Sequence, residues 1–178
     1  MTTFAATTAP APIASLPLHT ISVLVRNQPG VLVRVALVFA RRGYNIESLV
    51  VSADPVSSVF SRMTITCSGD PDTLEQIIKQ VAKLVDVVRA IDHTGQAVVE
   101  TEIALIKIKA GLRERTEILQ VAEHFQAKVV DCTAQSLILR VTGASDKLDS
   151  LISLLRPFGV IELVRSGKVL MTRGPEIT

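Results

Sequence analysis

The sequence predicts an α+β fold built from two tandem βαββαβ units, and three observations carry that prediction. Segments of strand composition and helical period follow one another as strand, helix, strand, strand, helix, strand, and the whole order occurs twice. A fixed offset of 74 matches Gly69 with Gly143, Asp72 with Asp146, Leu74 with Leu148 and Ile78 with Ile152 in one helix-opening context. That suggests a structural repeat, although a shared helix pattern alone can produce such identities. Finally, 178 residues suffice for two small units. The split βαββαβ order is the ferredoxin-like arrangement, one antiparallel four-stranded sheet with two helices on one face.

The elements follow in order. His19 to Arg26 is β-rich, and Val31 to Arg42 has helical composition. Asn45 to Ala53 and Val59 to Cys67 pair as a hairpin across Asp54 and Pro55. Asp70, Pro71 and Asp72 open a helix that runs to about Lys83, with acidic residues at its positive end. Its apolar residues Leu74, Ile77, Ile78 and Val81 make one stripe at i, i+3, i+4, i+7. Val85 to Ile91 closes the first unit, so the first domain spans 18–92 and a linker spans 93–101. In the second domain, 102–174, Glu102 to Ala110 is a strand, and Arg113 to Phe125 a helix with Ile118, Leu119 and Val121 in its apolar part. Lys128 to Cys132 and Leu137 to Val141 are strands, Ser145 to Leu155 a helix, and Val160 to Val164 the last strand.

Composition excludes several classes of function. Aromatics are only 3% of the chain, with no Trp, which leaves no stacking platform for single-stranded nucleic acid. A net charge of +2 without a basic stripe gives no footprint for an anionic polymer. No apolar run reaches the length of a membrane span. Cys67 and Cys132 lie far apart within strand-like runs and are expected as buried, reduced thiols. His19, His93 and His124 form no metal-ligand pattern. Residues 1–17, rich in Ala, Thr and Pro, carry no positive charge and no continuous apolar run. A disordered N-terminal extension on a cytoplasmic protein is expected.

The first strand and first helix meet at Asn27, Gln28, Pro29 and Gly30. Helix-opening N–H groups there make a seat for a carboxylate, and Gly30 lets a ligand approach the backbone closely. A second polar cluster, Arg41 to Glu47, follows the helix. The side-chain amides of Asn27 and Asn45 each offer a donor and an acceptor, which suits a zwitterion without burying a charge. Asn45 equally suits a left-handed strand start, and Arg41 and Arg42 a solvated helix end. The stretch Val31 to Phe39 is interrupted only by Arg34, so this helix needs cover on more than one side.

A βαββαβ unit with Pro-Gly after its first strand resembles the ACT domain, an amino-acid-sensing module. The strings RRGYNIESL (Arg41 to Leu49), SRMTI (Ser61 to Ile65) and LEQIIKQVAKLVDV (Leu74 to Val87) are more specific. With ELVRSGKV (Glu162 to Val169) and TRG (Thr172 to Gly174), they are similar to the small, regulatory subunits of acetolactate synthase (acetohydroxyacid synthase). The resemblance implies an N-terminal ACT domain and a C-terminal ferredoxin-like domain. It implies a non-catalytic homodimer that activates a thiamine-diphosphate-dependent catalytic subunit and confers inhibition by valine or another branched-chain amino acid. This chain would bind no cofactor; thiamine diphosphate, Mg and FAD would sit on the catalytic subunit. Effector contacts would come from Asn27, Gly30, Val31 and Leu32 of one chain, and from Asn45 and Ile46 of its neighbour. In the second unit the matching turn reads Lys109, Ala110, Gly111, without Asn or Pro-Gly, so it is expected to serve dimerisation or docking. The alternative is a stand-alone ACT sensor that regulates a different enzyme. A phosphate-cradling enzyme of the same architecture is disfavoured, because Asn27, Gln28 and Pro29 supply no run of amides.

Overall fold

The computed structural model describes residues 17–54, 57–175 and 178. The expected N-terminal extension therefore lies outside the described residues except for Pro17, whose carbonyl accepts from the Gly69 N–H at 3.2 Å. Pro55, expected in the hairpin turn, also lies outside them.

The first unit runs β1 (Leu18–Arg26), α1 (Val31–Arg41), β2 (Asn45–Ala53), β3 (Phe60–Ser68), α2 (Pro71–Val81) and β4 (Val87–Asp92). The second runs β5 (Val98–Lys109), α3 (Arg115–His124), β6 (Lys128–Cys132), β7 (Ser136–Gly143), α4 (Ser145–Leu155), β8 (Val160–Arg165) and an added strand β9 (Val169–Thr172). Strand orders are β2-β3-β1-β4 and β6-β7-β5-β8, the same ferredoxin-like order in both units, with every pairing antiparallel. Alternation along β1 sends Ile21, Val23 and Val25 to the helices. There they meet Met63, Ile65 and Cys67 of β3, the α1 residues Val31, Val35, Val38 and Phe39, and the α2 residues Leu74, Ile77 and Val81. The second core repeats the plan with Ile106, Ile108, Leu137 and Leu139 under Ile118, Leu148, Leu151 and Leu155.

Local chemistry sets the boundaries. Asp70 caps α2 by accepting from the Thr73 N–H at 3.0 Å, and Pro71 follows at a position that needs no donor. The first unit's last strand starts at Val87 rather than Val85, because the Val87 N–H bonds back to the Leu84 carbonyl at 3.0 Å and closes a turn. Val85 is left exposed.

Three expectations need correction. Val98–Thr101, read as linker, are strand, because β9 returns to pair with them from Val98↔Thr172 to Thr101↔Val169. Leu119 is exposed, and Ala122 takes the inward place beside Ile118. Cys132 is exposed on β6, every residue of which faces solvent, whereas Cys67 is buried; both are free thiols.

The units meet where the β8–β9 turn approaches the helix-free face of the first sheet. Gly167 there has φ +82°, and a Cβ on it would lie 2.9 Å from Ser48 Cβ and 3.2 Å from Val50 Cγ2. Nearby, the buried Glu102 carboxylate accepts from Arg165 Nε at 2.9 Å and from the Ser145 hydroxyl, which satisfies it. His93 follows β4, buried, with Nε2 2.7 Å from Ser22 Oγ and Nδ1 3.3 Å from Gln96 Oε1.

Gly167→Ala is expected to lower Tm by several degrees, the effect of about 1–3 kcal/mol from left-handed strain and the clash with β2, measured by calorimetry. Burial pushes the Cys67 thiol up to about 11, so Ellman's reagent should titrate one thiol, Cys132, in the native protein and both only after denaturation. Burial also lowers the His93 pKa. The folded chain then binds fewer protons there than the unfolded chain, so stability is full above the unfolded pKa of about 6.5 and falls as pH drops toward the folded value. Tm should decline as pH falls below about 6.5, and His93→Gln should flatten that decline.

Candidate functional site

The β1–α1 turn leaves a helix start open. Gly30 is the α1 N-cap at φ 81°, a left-handed conformation that favours glycine, and no side chain caps the helix. The first turn of α1 holds no acidic residue. The Val31 N–H makes only a long bond to the Gln28 carbonyl, 3.4 Å, and the Leu32 N–H has no backbone acceptor among the described residues. The positive end of the α1 dipole is therefore available to an anion.

Asn27 is held in place from the hairpin: its Nδ2 donates to the Ser58 carbonyl at 3.1 Å, and its own N–H to Val59 at 2.7 Å. This leaves the side-chain carbonyl of Asn27 free to accept. Asn27, Gly30, Val31 and Leu32 line a recess of about 130 Å³ with Val25, Val51 and Met63 as apolar wall.

Arg34 is the neighbour that sequence reasoning passed over as a mere interruption of an apolar helix. It stands one turn after Gly30, with Nη1 3.3 Å from where a Gly30 Cβ would lie, and its Nη2 pairs with Asp86 at 2.5 Å. The i, i+4 spacing from the N-cap is the signal that could have found it.

Asn45 and Ile46 do not join this recess within one chain. Asn45 pairs with Ser68 and Ser68 with Leu18, whereas Arg26, which leads into the turn, pairs with Phe60. The two groups therefore lie at opposite ends of the sheet, about 25–27 Å apart along β1. Ile46 packs against the helix-side core. Asn45 is exposed at the strand start with an ordinary negative φ, so the left-handed alternative does not hold. Its Nδ2 donates to Glu47 Oε1 at 3.0 Å. Arg42 donates to Gln76 Oε1 at 2.9 Å and so ties the α1 end to α2.

The second unit's equivalent turn is tied down by its own side chains, beside an open recess of about 880 Å³ lined by Lys109, Gly111, Glu114 and Thr133. Glu114 Oε2 accepts from the Gly111 N–H at 3.4 Å, which puts a carboxylate at the start of α3. Arg115 Nη2 donates to the Ala110 carbonyl at 3.1 Å and to the Thr133 carbonyl at 2.5 Å. Among the described residues no cluster of His, Cys, Asp and Glu is placed to hold a metal ion, and no helix is long and apolar enough to cross a membrane.

Comparison with known proteins assigns both units. Residues 21–89 match the family described as the AHAS small subunit-like ACT domain, and residues 101–174 match that described as the small subunit of acetolactate synthase. The chain belongs to the acetolactate synthase small-subunit family. The acetolactate synthase small subunit of Mycobacterium leprae is 43% identical over 163 residues, 92% of this chain and 96% of that one. The probable acetolactate synthase small subunit of Archaeoglobus fulgidus is 46% identical over 88% of this chain and 97% of its own. A crystal structure of the acetolactate synthase small subunit from Thermotoga maritima superposes with a TM-score of 0.79 at 39% identity, covering 90% of this chain and all of that one. The fold is thus that of the family across both units, and the ACT domain is the one that carries the open turn.

Proposed function

We propose that the chain is the non-catalytic regulatory subunit of an acetolactate synthase. In this reading it docks on the large subunit, raises its activity, and makes it sensitive to a branched-chain amino acid held between two copies of the chain. The large subunit would carry thiamine diphosphate, Mg and FAD. The carrying observation is the separation of the two half-sites: Asn27, Gly30, Val31 and Leu32 lie at one end of a sheet, and Asn45 and Ile46 at the other.

A second copy resolves that separation. In the order β2-β3-β1-β4, β2 is an edge strand of nine residues with unpaired backbone groups along one side, a ready template for another strand. Antiparallel pairing of β2 with β2 of a second copy, in a register centred on Leu49 and shifted by one at the Glu47 bulge, sets Ile46 of that copy opposite Val51 and Asn45 opposite Ser52. That is the end where Val51 lines the recess. The same association would cover Leu32, Val33 and Leu37, the apolar residues of α1 that stay exposed in one chain.

The chemistry suits an amino acid. The α1 N-terminus takes the carboxylate, asparagine carbonyls take the ammonium, and Leu32, Val51 and Ile46 offer an apolar slot. One methylene in such a slot discriminates by only about 1–3 kcal/mol, so valine is preferred here on the family resemblance. Because the ligand would bridge two chains, it would favour one dimer geometry over another. A coupling of about 1–3 kcal/mol between that geometry and the large subunit changes activity about 5–150-fold.

The test is acetolactate formation by the large subunit, with and without this chain, across titrations of valine, leucine and isoleucine. Gly30→Asp places a carboxylate within reach of Arg34, filling the seat with an internal ion pair. It is expected to abolish inhibition while preserving activation. Asn45→Ala should raise the half-inhibiting valine concentration about tenfold, the scale of one hydrogen bond to a charged group. Wild-type valine responses in both variants overturn the site, and copurification with an unrelated enzyme in place of the large subunit overturns the function.

A further inference from the structure

The first-unit sheet carries one carboxylate whose setting the open turn does not explain. Glu47 sits at a β-bulge: Ile46 pairs with Cys67 and Ser48 with Thr66, so Glu47 is the extra residue on β2. Bulges re-aim side chains. Here Glu47 Oε1 accepts twice, from Asn45 Nδ2 at 3.0 Å and from Ser68 Oγ at 2.9 Å. No cation lies within ion-pair distance of it among the described residues. The nearby cations are taken: Arg165 by Glu102 and Asp149, Lys168 by Glu100.

We propose that Glu47 is a positioning residue for the effector wall, fixing the Asn45 amide and supplying the negative pole that orients a zwitterion. This rests on the effector reading of Asn45 given above. An asparagine amide can turn over and present either its NH₂ or its carbonyl. With Nδ2 committed to Glu47, Asn45 presents Oδ1, the acceptor that an ammonium requires. The uncompensated carboxylate adds attraction for the ammonium and repulsion for the carboxylate. At the opposite wall the α1 N-terminus, free of acidic residues in its first turn, has the reverse preference. The two poles together permit one orientation of an α-amino acid and disfavour its reversal.

The hydrogen bonds from Asn45 first and Ser68 second also hold the Glu47 carboxyl below the usual carboxylate range, so it stays ionised near neutral pH. Glu47 further lines a cavity of about 310 Å³ between the units, together with Thr66, Arg165, Gly167 and Lys168. The Thr66 hydroxyl there is buried without a hydrogen-bond partner. The residue that orients Asn45 therefore also faces the second unit, which gives the effector wall a direct route to the inter-unit contact.

The experiment compares Glu47→Gln, Glu47→Ala, Asn45→Ala and the Asn45→Ala/Glu47→Ala double variant as full chains reconstituted with the large subunit. Each is read for activation without effector and for the half-inhibiting valine concentration at low and high salt. Glu47→Ala should keep activation and raise that concentration about tenfold, with the double variant no worse than Asn45→Ala alone. Glu47→Gln retains an acceptor for Asn45 but no charge; its half-inhibiting concentration should rise only about threefold and lack the salt dependence expected of wild type. A wild-type response in Glu47→Ala, additive effects in the double variant, or loss of activation without effector each overturns the positioning role. If Asn45→Ala and Gly30→Asp are also wild-type in response, the effector reading itself falls. The Glu47 inference fails separately when only the Glu47 variants are silent.

Discussion

The length of one strand governs how this molecule can hold a ligand. β1 runs nine residues across the first sheet, with the Asn27–Gly30 turn beyond one end and its pairing partners lead to Asn45 at the other. A rigid antiparallel sheet cannot fold those ends together, because its ladder hydrogen bonds fix the spacing at about 3.3 Å per residue. Any ligand that touches both groups must bridge two molecules. The proposed regulation follows from that geometry: a metabolite at a shared seam becomes a term in the association of two chains. Changes in that association can then reach a docked enzyme without this chain performing chemistry.

The two units share a plan and treat their first turn in opposite ways. In the ACT unit, Gly30 leaves the start of α1 uncapped and free of acidic side chains. In the C-terminal unit, Glu114 occupies the equivalent place while Arg115 cross-links the turn to the β6–β7 connection through the Ala110 and Thr133 carbonyls. An orphaned set of helix N–H groups must be satisfied by something. Neither α1 nor α3 has a side-chain cap, but the second unit places the Glu114 carboxylate at its helix start and the first places no acidic residue there. The difference rests on a handful of side chains at one turn, within a common strand order.

β2 connects these parts. One end carries Asn45 and Ile46, its outer edge is unpaired, and Ser48 and Val50 receive the Gly167 turn of the second unit. A displacement of this strand on association would press on the β8–β9 turn, where no room exists for even a Cβ. Packed contacts of that kind respond by switching between discrete arrangements instead of yielding smoothly. Glu47, at the bulge, holds the Asn45 amide and lines the inter-unit cavity, so the proposed chemistry and the mechanics converge on adjacent residues.

Periodicity and turn chemistry alone determined the architecture: the inward stripe Leu74, Ile77, Val81 was legible because burial on one face of a helix imposes a period of 3.6. The open turn was legible too, since Pro29 and Gly30 announce a backbone that needs little from its neighbours. Three things were not. Strand β9 and the conversion of Val98–Thr101 from linker to strand depend on a partner some seventy residues away. The exposure of Cys132 depends on β6 lying at a sheet edge. Arg34 and Glu47 gain their meaning from groups brought beside them: the Gly30 backbone and Asp86 for one, the Asn45 amide and Ser68 for the other. Local residues set which segments are strand or helix because those preferences act within a few residues. Only the tertiary structure decides which polar groups meet, because hydrogen bonds and charges act across space and carry no signature of their partners in the chain.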